Sequence, residues 1–116
     1  AMAVALDAAD DYYEDTLSAY RRRREVLCEG LARAGFGVIE PAGTYFVLGD
    51  SRPLGFENDR ELANRLPAEA GVAAIPVSPF YVDTATPRPY LRFAFCKDES
   101  LLAQAVERLV AWSAAR

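Results

Sequence analysis

One uninterrupted helical stripe constrains this chain more than any other feature. Leu6, Ala9, Tyr13, Leu17, Tyr20, Leu27, Leu31 and Ala34 recur at steps of three or four, with Arg24 filling the single gap. That spacing lines up one apolar face on a helix. A helix over residues 6–34 would be about 40 Å long at 1.5 Å per residue. Gly35 is a natural stop, because glycine takes the left-handed conformation that closes helices. The helical pattern is already running a few residues after Ala1. This reads as a cut inside or just before a longer helix, and so as a piece of a larger protein; a complete small protein is the other reading.

After Gly35 the period changes. "FGVIEPAGTYFVLGD" reads as two strands, Phe36 to Glu40 and Thr44 to Leu48, joined by a turn at Pro41-Ala42-Gly43. Asn58 caps a following helix, with Glu61 completing a capping box, Leu62 and Leu66 on the buried side and Pro67 ending or kinking it. Val72 to Ile75 forms a short buried strand. The stretch from Pro76 to Pro89 is too irregular for either element, and long loops inside compact domains tend to be functional. Tyr90 to Cys96 alternates at period two as a last strand. Asp98 then caps a helix whose face is Leu101, Leu102, Ala105, Val106, Leu109 and Trp112. The order predicts one α+β domain: a two-layer sandwich with a four-stranded, largely antiparallel or mixed sheet, a long N-terminal helix and two further helices.

Several function classes are excluded or disfavoured by composition. The formal net charge of −4 argues against nucleic acid as the main partner. The run Arg21 to Arg24 is flanked by acids and reads as a solvated helix face. With no histidine, histidine bases, Ser-His and Cys-His nucleophiles and most zinc sites are out. Cys28 and Cys96 lie far apart without a C-x-x-C pattern and read as free thiols of a cytoplasmic protein. No run approaches the roughly 20 apolar residues that span a membrane, and no secretory leader is visible.

The chemistry centres on "YLRFAFCK", residues 90–97. Leu91, Phe93 and Phe95 share one face of the strand; Tyr90, Arg92, Ala94 and Cys96 share the other. Arg92 cannot shed its charge, and an unpaired guanidinium in such surroundings costs on the order of several kcal/mol. A carboxylate or phosphate should face it. On residue types alone, an acid of this chain and a ligand carboxylate are equal candidates, because both make a charge-assisted fork. Lys97, the only lysine, adjoins Asp98 and Glu99, which would keep it protonated at the surface rather than ready to form a Schiff base. Gly43 is either a plain turn glycine or a point of close ligand approach. Tyr45 and Phe46 point to opposite faces, one to the core and one to a possible cleft. Ser78 and Phe80 either line a site or anchor their loop.

The succession "YRRRREVLCEGLARAGFGVIEPAGTYFVLGD", "GVAAIPVSPFY" and "YLRFAFCKDESLLAQAVERL" resembles the C-terminal small domain of class I/II (fold type I) pyridoxal-phosphate aminotransferases. It is most similar to the kynurenine, methionine and N-succinyldiaminopimelate aminotransferase-like enzymes. The resemblance covers nearly the whole chain and combines Tyr20 with the Arg-rich helix and Leu27, then Pro41, Gly43, Tyr45 and Phe46, then Gly71 to Pro76, then Arg92 to Lys97. The chain departs from a common family pattern at Val77, where glycine is frequent, which leaves the shape of that loop open.

The resemblance implies that Arg92 binds the α-carboxylate of an amino acid or 2-oxo acid, with Gly43 and Tyr45 beside the substrate and the Pro76–Pro89 loop near its entrance. It implies pyridoxal 5'-phosphate in a parent enzyme, a homodimer, with the Schiff-base lysine and phosphate-binding groups on a missing large domain. Their motifs do not occur here, so this chain alone is expected to hold no cofactor and to catalyse nothing. The competing readings are a stand-alone α+β module that binds amino acids or regulates a partner, and a structural domain in which Arg92 pairs with an internal acid.

Overall fold

The computed structural model describes residues 10–40, 44–95 and 98–116. Helix α1 (Asp10–Arg33) is followed by strands β1 (Gly37–Ile39) and β2 (Phe46–Asp50), a 3-10 turn (Arg52–Leu54) and helix α2 (Asp59–Glu69). Strand β3 (Ile75–Pro76), a second 3-10 turn (Ser78–Phe80), strand β4 (Tyr90–Ala94) and helix α3 (Glu99–Ala114) complete the chain. The strands form one sheet in the order β1-β2-β4-β3, and every neighbouring pair is antiparallel. The α+β architecture matches the expectation, with the antiparallel alternative realised.

Local chemistry explains the boundaries. At the end of α1, Gly35 takes φ 98. The Gly35 N–H donates to Ala32 O and the Phe36 N–H to Leu31 O, at 3.1 and 3.0 Å, which is the paired hydrogen-bond pattern of a left-handed helix stop. Asn58 Oδ1 accepts from the N–H groups of Arg60 and Glu61, and Asp98 accepts from the Ser100 N–H. The return bond from Glu61 that a capping box would add is not among the described hydrogen bonds. Pro67 lies inside α2, which runs two residues further to Glu69; a proline this close to the end forfeits only the one bond its own N–H would have made.

The sheet is two-faced. Leu91 and Phe93 of β4 and Val47 of β2 are buried, and they meet Leu27 and Leu31 of α1 and Leu102, Val106 and Leu109 of α3 in the core. The residues between them, Phe46, Leu48, Tyr90, Arg92 and Ala94, lie half-buried on the opposite face. Helices α1 and α3 touch closely where Gly30 faces Val106: a Cβ built on Gly30 would come within 2.3 Å of Val106 Cγ1. Valine in a helix has one strongly preferred rotamer and cannot swing aside. Gly30→Ala gains about 1 kcal/mol of helix propensity but overpacks the core by about 1–3 kcal/mol or more. The expected result is a net loss of roughly 1–2 kcal/mol in urea unfolding. A more stable variant would mean that the helices separate without cost.

The structure corrects several expectations. Strand β1 is shorter than Phe36 to Glu40, and β2 starts at Phe46 rather than Thr44, because Thr44 takes φ 70 and breaks the extended run. The predicted strand Val72 to Ile75 becomes Ile75–Pro76, paired to Arg92 and Leu91. This is an edge position, where proline's missing donor is tolerated. Leu101, placed on the buried face of the last helix, is 55% exposed, as is Leu17 of the N-terminal stripe at 54%. The Pro76–Pro89 stretch contains the Ser78–Phe80 turn. The turn at Pro41 to Gly43, Leu6, Ala9, Cys96 and Lys97 lie outside the described residues. Cys28 is a free, half-buried thiol; burial is the main cause of its raised pKa. Among the described residues, no helix is long and apolar enough to cross a membrane.

Candidate functional site

Arg92 occupies the middle of β4 on the sheet face away from α1 and α3. Its register partners are Leu48 on β2 and Ile75 on β3, and Leu48 in turn pairs with Ile39 on β1. The guanidinium thus stands in an apolar row across the sheet. Its described contacts are aromatic: Cζ lies 4.0 Å from the centroid of Phe46 and 5.1 Å from that of Phe80. Among the described residues no acid pairs with it. Nε is buried and has no hydrogen-bond partner. Nη1 and Nη2 form no hydrogen bond or ion pair among the described residues, and the side chain as a whole is half-buried.

The acid nearest in register is already engaged. Asp50 pairs with Tyr90 across the sheet and lies 2.6 Å from Arg52 Nη2. Hydrogen bonding by Arg52 is the leading cause that holds its carboxyl below the usual range. Arg52 also donates to the Tyr90 hydroxyl at 3.2 Å. An intrachain salt bridge to Arg92 is therefore absent among the described residues. The orphaned Nε–H carries a desolvation cost of about 1–3 kcal/mol that an incoming acceptor would relieve.

Phe80 arrives from the second 3-10 turn, and Asp59 fixes that turn. Asp59 is the first residue of α2 and is fully buried. Its Oδ2 accepts from the Ser78 N–H at 2.7 Å and its Oδ1 from the Arg88 N–H at 3.2 Å, while its own N–H donates to Arg88 O at 2.9 Å. Burial is the largest influence on its carboxyl and pushes the pKa up, but the N–H donors, with Ser78 and Arg88 foremost, together bring it below the ordinary value. One carboxylate thereby pins both ends of the loop that closes over the Arg92 face. Val77 takes an ordinary right-handed conformation, φ −87 and ψ −25, so the turn needs no glycine there.

Of the residues singled out from sequence, the structure brings Arg92 and Phe80 together. Phe46, not Tyr45, faces the guanidinium. Tyr45 is 52% exposed and meets Phe46 edge-on at 5.9 Å and 87°. Ser78 is buried at the base of the turn. Gly43 lies outside the described residues, as does Lys97. Asp59 carries little signal in the sequence beyond its place directly after the capping Asn58.

A shallow recess of about 220 Å³ adjoins the row, lined by Ile39, Leu48, Val77, Tyr81 and Tyr90. A larger one of about 340 Å³ lies by the helices, among Leu27, Val72, Phe93, Leu102 and Leu109. Its lining carries no ionisable group, and so offers nothing to hold a carboxylate.

A family model described as aminotransferase class I and II matches residues 1–109. The chain belongs to the class I and II aminotransferases. Among curated aminotransferases it is 38% identical to a probable N-succinyldiaminopimelate aminotransferase of Mycobacterium tuberculosis, over 94% of this chain and 30% of that protein. It is 37% identical to the methionine aminotransferase of Escherichia coli, over 94% of this chain and 28% of that protein. The solved aminotransferase structures agree. The M. tuberculosis N-succinyldiaminopimelate aminotransferase superposes with a TM-score of 0.87 at 39% identity, covering 96% of this chain and 29% of the other. The E. coli methionine aminotransferase gives 0.84 at 35% identity, covering 95% and 28%. The chain spans about 30% of the length of the relatives it matches.

Proposed function

We propose that the chain is the C-terminal small domain of a pyridoxal-phosphate-dependent aminotransferase, and that Arg92 binds the α-carboxylate of its amino-acid and 2-oxo-acid substrates. The observation that carries this reading is the guanidinium itself. It is set in an apolar row, cradled by two rings, supplied with no acid among the described residues and left with a buried, unanswered Nε–H. A planar carboxylate fits that donor set two-pronged, which fixes orientation as well as affinity. Orientation is what a transaminase needs from such a group, because the reacting Cα–H must be presented at a defined angle.

The residues of this face do not fit the cofactor. Pyridoxal phosphate needs an amine for its aldehyde, and the one lysine of the sequence, Lys97, adjoins Asp98 and Glu99, acids that favour its protonated form over the free amine. The guanidinium in the middle of the Arg92 face is suited to a carboxylate, and the groups described against it are aromatic rings. The part taken by this chain is therefore binding and orientation, and the cofactor belongs to the remainder of a longer, cytoplasmic, homodimeric enzyme. Exposed Leu17 on α1, Ile39 on β1 and Tyr81 just after the second 3-10 turn supply apolar surface for that remainder to cover.

The test is transamination by the intact polypeptide, with a panel of amino acids and 2-oxo acids followed by product formation. Activity that saturates with both partners is expected. Its complete absence across the panel in folded, cofactor-loaded protein would overturn the reading. Calorimetry on the 116-residue chain alone should show no amino-acid binding; a clear isotherm would instead favour a stand-alone binding module.

A further inference from the structure

We infer that Phe80 is a positioning residue for Arg92: its ring, presented by the turn that Asp59 pins, sets the attitude of the guanidinium and so the preference of the site for carboxylates over neutral isosteres. This rests on the assignment of Arg92 as the carboxylate-binding group.

Three observations support it. Phe80 is 67% exposed, which buries too little for a core role, yet its ring lies 5.1 Å from Arg92 Cζ. The backbone beneath the ring is held firmly. The Phe80 N–H donates to Val77 O at 2.9 Å and the Tyr81 N–H to Ser78 O at 3.2 Å, and the Ser78 N–H is bound by Asp59. The mode of contact also leaves the chemistry free. Rings attract a guanidinium through its flat face, whereas its hydrogen-bond donors point outward in its plane. An acid partner would occupy that fork; Phe80 and Phe46 restrain the group and leave the fork open. Phe46 is fixed within the sheet ladder, so Phe80 is the member of the pair that can be altered without disturbing the sheet.

The experiment compares 3-phenylpropionate with 3-phenylpropionamide as competitive inhibitors of the intact enzyme, in wild type, Phe80→Ala, Phe80→Tyr and Arg92→Leu. Loss of one ring should weaken the carboxylate by roughly 3- to 30-fold and leave the amide nearly unchanged, with the melting temperature held. Phe80→Tyr, which keeps the ring, should restore the wild-type ratio. If Phe80→Ala weakens both compounds equally or neither, while Arg92→Leu abolishes the preference for carboxylate, the role of Phe80 is overturned and that of Arg92 stands. If Arg92→Leu itself leaves the preference intact, the carboxylate assignment falls, and the inference with it.

Discussion

Arg92→Lys in the intact enzyme is expected to lower kcat/KM by roughly 30- to 150-fold, the equivalent of about 2–3 kcal/mol for the loss of charge-assisted hydrogen bonds to the carboxylate. The positive charge survives the change, so simple attraction of an anion is not what is lost. Lysine offers a point charge where arginine offers two parallel donors, and it lacks the planar group whose Cζ lies over the rings of Phe46 and Phe80. Steady-state kinetics on several amino acids check this. The deficit should be similar for all of them, because every substrate shares the α-carboxylate. A loss confined to one side chain, or no loss, contradicts the assignment. A thermal melt of the variant separates this effect from misfolding.

Asp59→Ala should be among the most destabilising single changes in the chain. It leaves the buried Ser78 N–H and the part-buried Arg88 N–H without their acceptor, at about 1–3 kcal/mol for the first and less for the second, for an expected loss of roughly 2–4 kcal/mol in equilibrium unfolding. Asp59→Asn keeps an acceptor oxygen but loses the charge, and should cost less. The pH dependence has a definite sign. The folded-state pKa of Asp59 is lowered, so its ionised form contributes stability that is complete above the unfolded value of about 3.9. That contribution is lost as pH falls through the lower folded value. The stability gap between wild type and Asp59→Asn should therefore be flat from neutral pH down to about 5 and narrow below about 4. Taking the difference between the two proteins cancels the similarly lowered Asp50, Glu69, Asp83 and Asp98. A gap independent of pH down to about pH 2 would mean that folding leaves the pKa of Asp59 unlowered.

What could be read beforehand was local. Period two placed Arg92 opposite Leu91 and Phe93, because successive strand residues must alternate. The stops and caps at Gly35, Asn58 and Asp98 are set by one or two residues of backbone chemistry and were legible for the same reason. What escaped was set by distant chain. Nothing in the apolar stripe of α1 says where its cover runs out, so exposed Leu17 looks the same as buried Leu27. The same holds for Leu101 beside Leu102. Tyr45 and Phe46 could not be told apart until the positive φ of Thr44 fixed where β2 begins. Asp59 reads as an ordinary first-turn acid, because the segments it binds return from 19 and 29 residues away. Pairing of Arg92 with an internal acid was as good a guess as pairing with a ligand until the register showed Asp50 taken by Arg52.

The most direct measurement is a crystal structure of the intact enzyme with a substrate-like carboxylate bound, such as 3-phenylpropionate. The carboxylate oxygens should lie about 2.7–2.9 Å from two guanidinium nitrogens of Arg92, with the rings of Phe46 and Phe80 still against its face. A carboxylate bound elsewhere, with Arg92 paired to an acid from the rest of the polypeptide, would contradict the account.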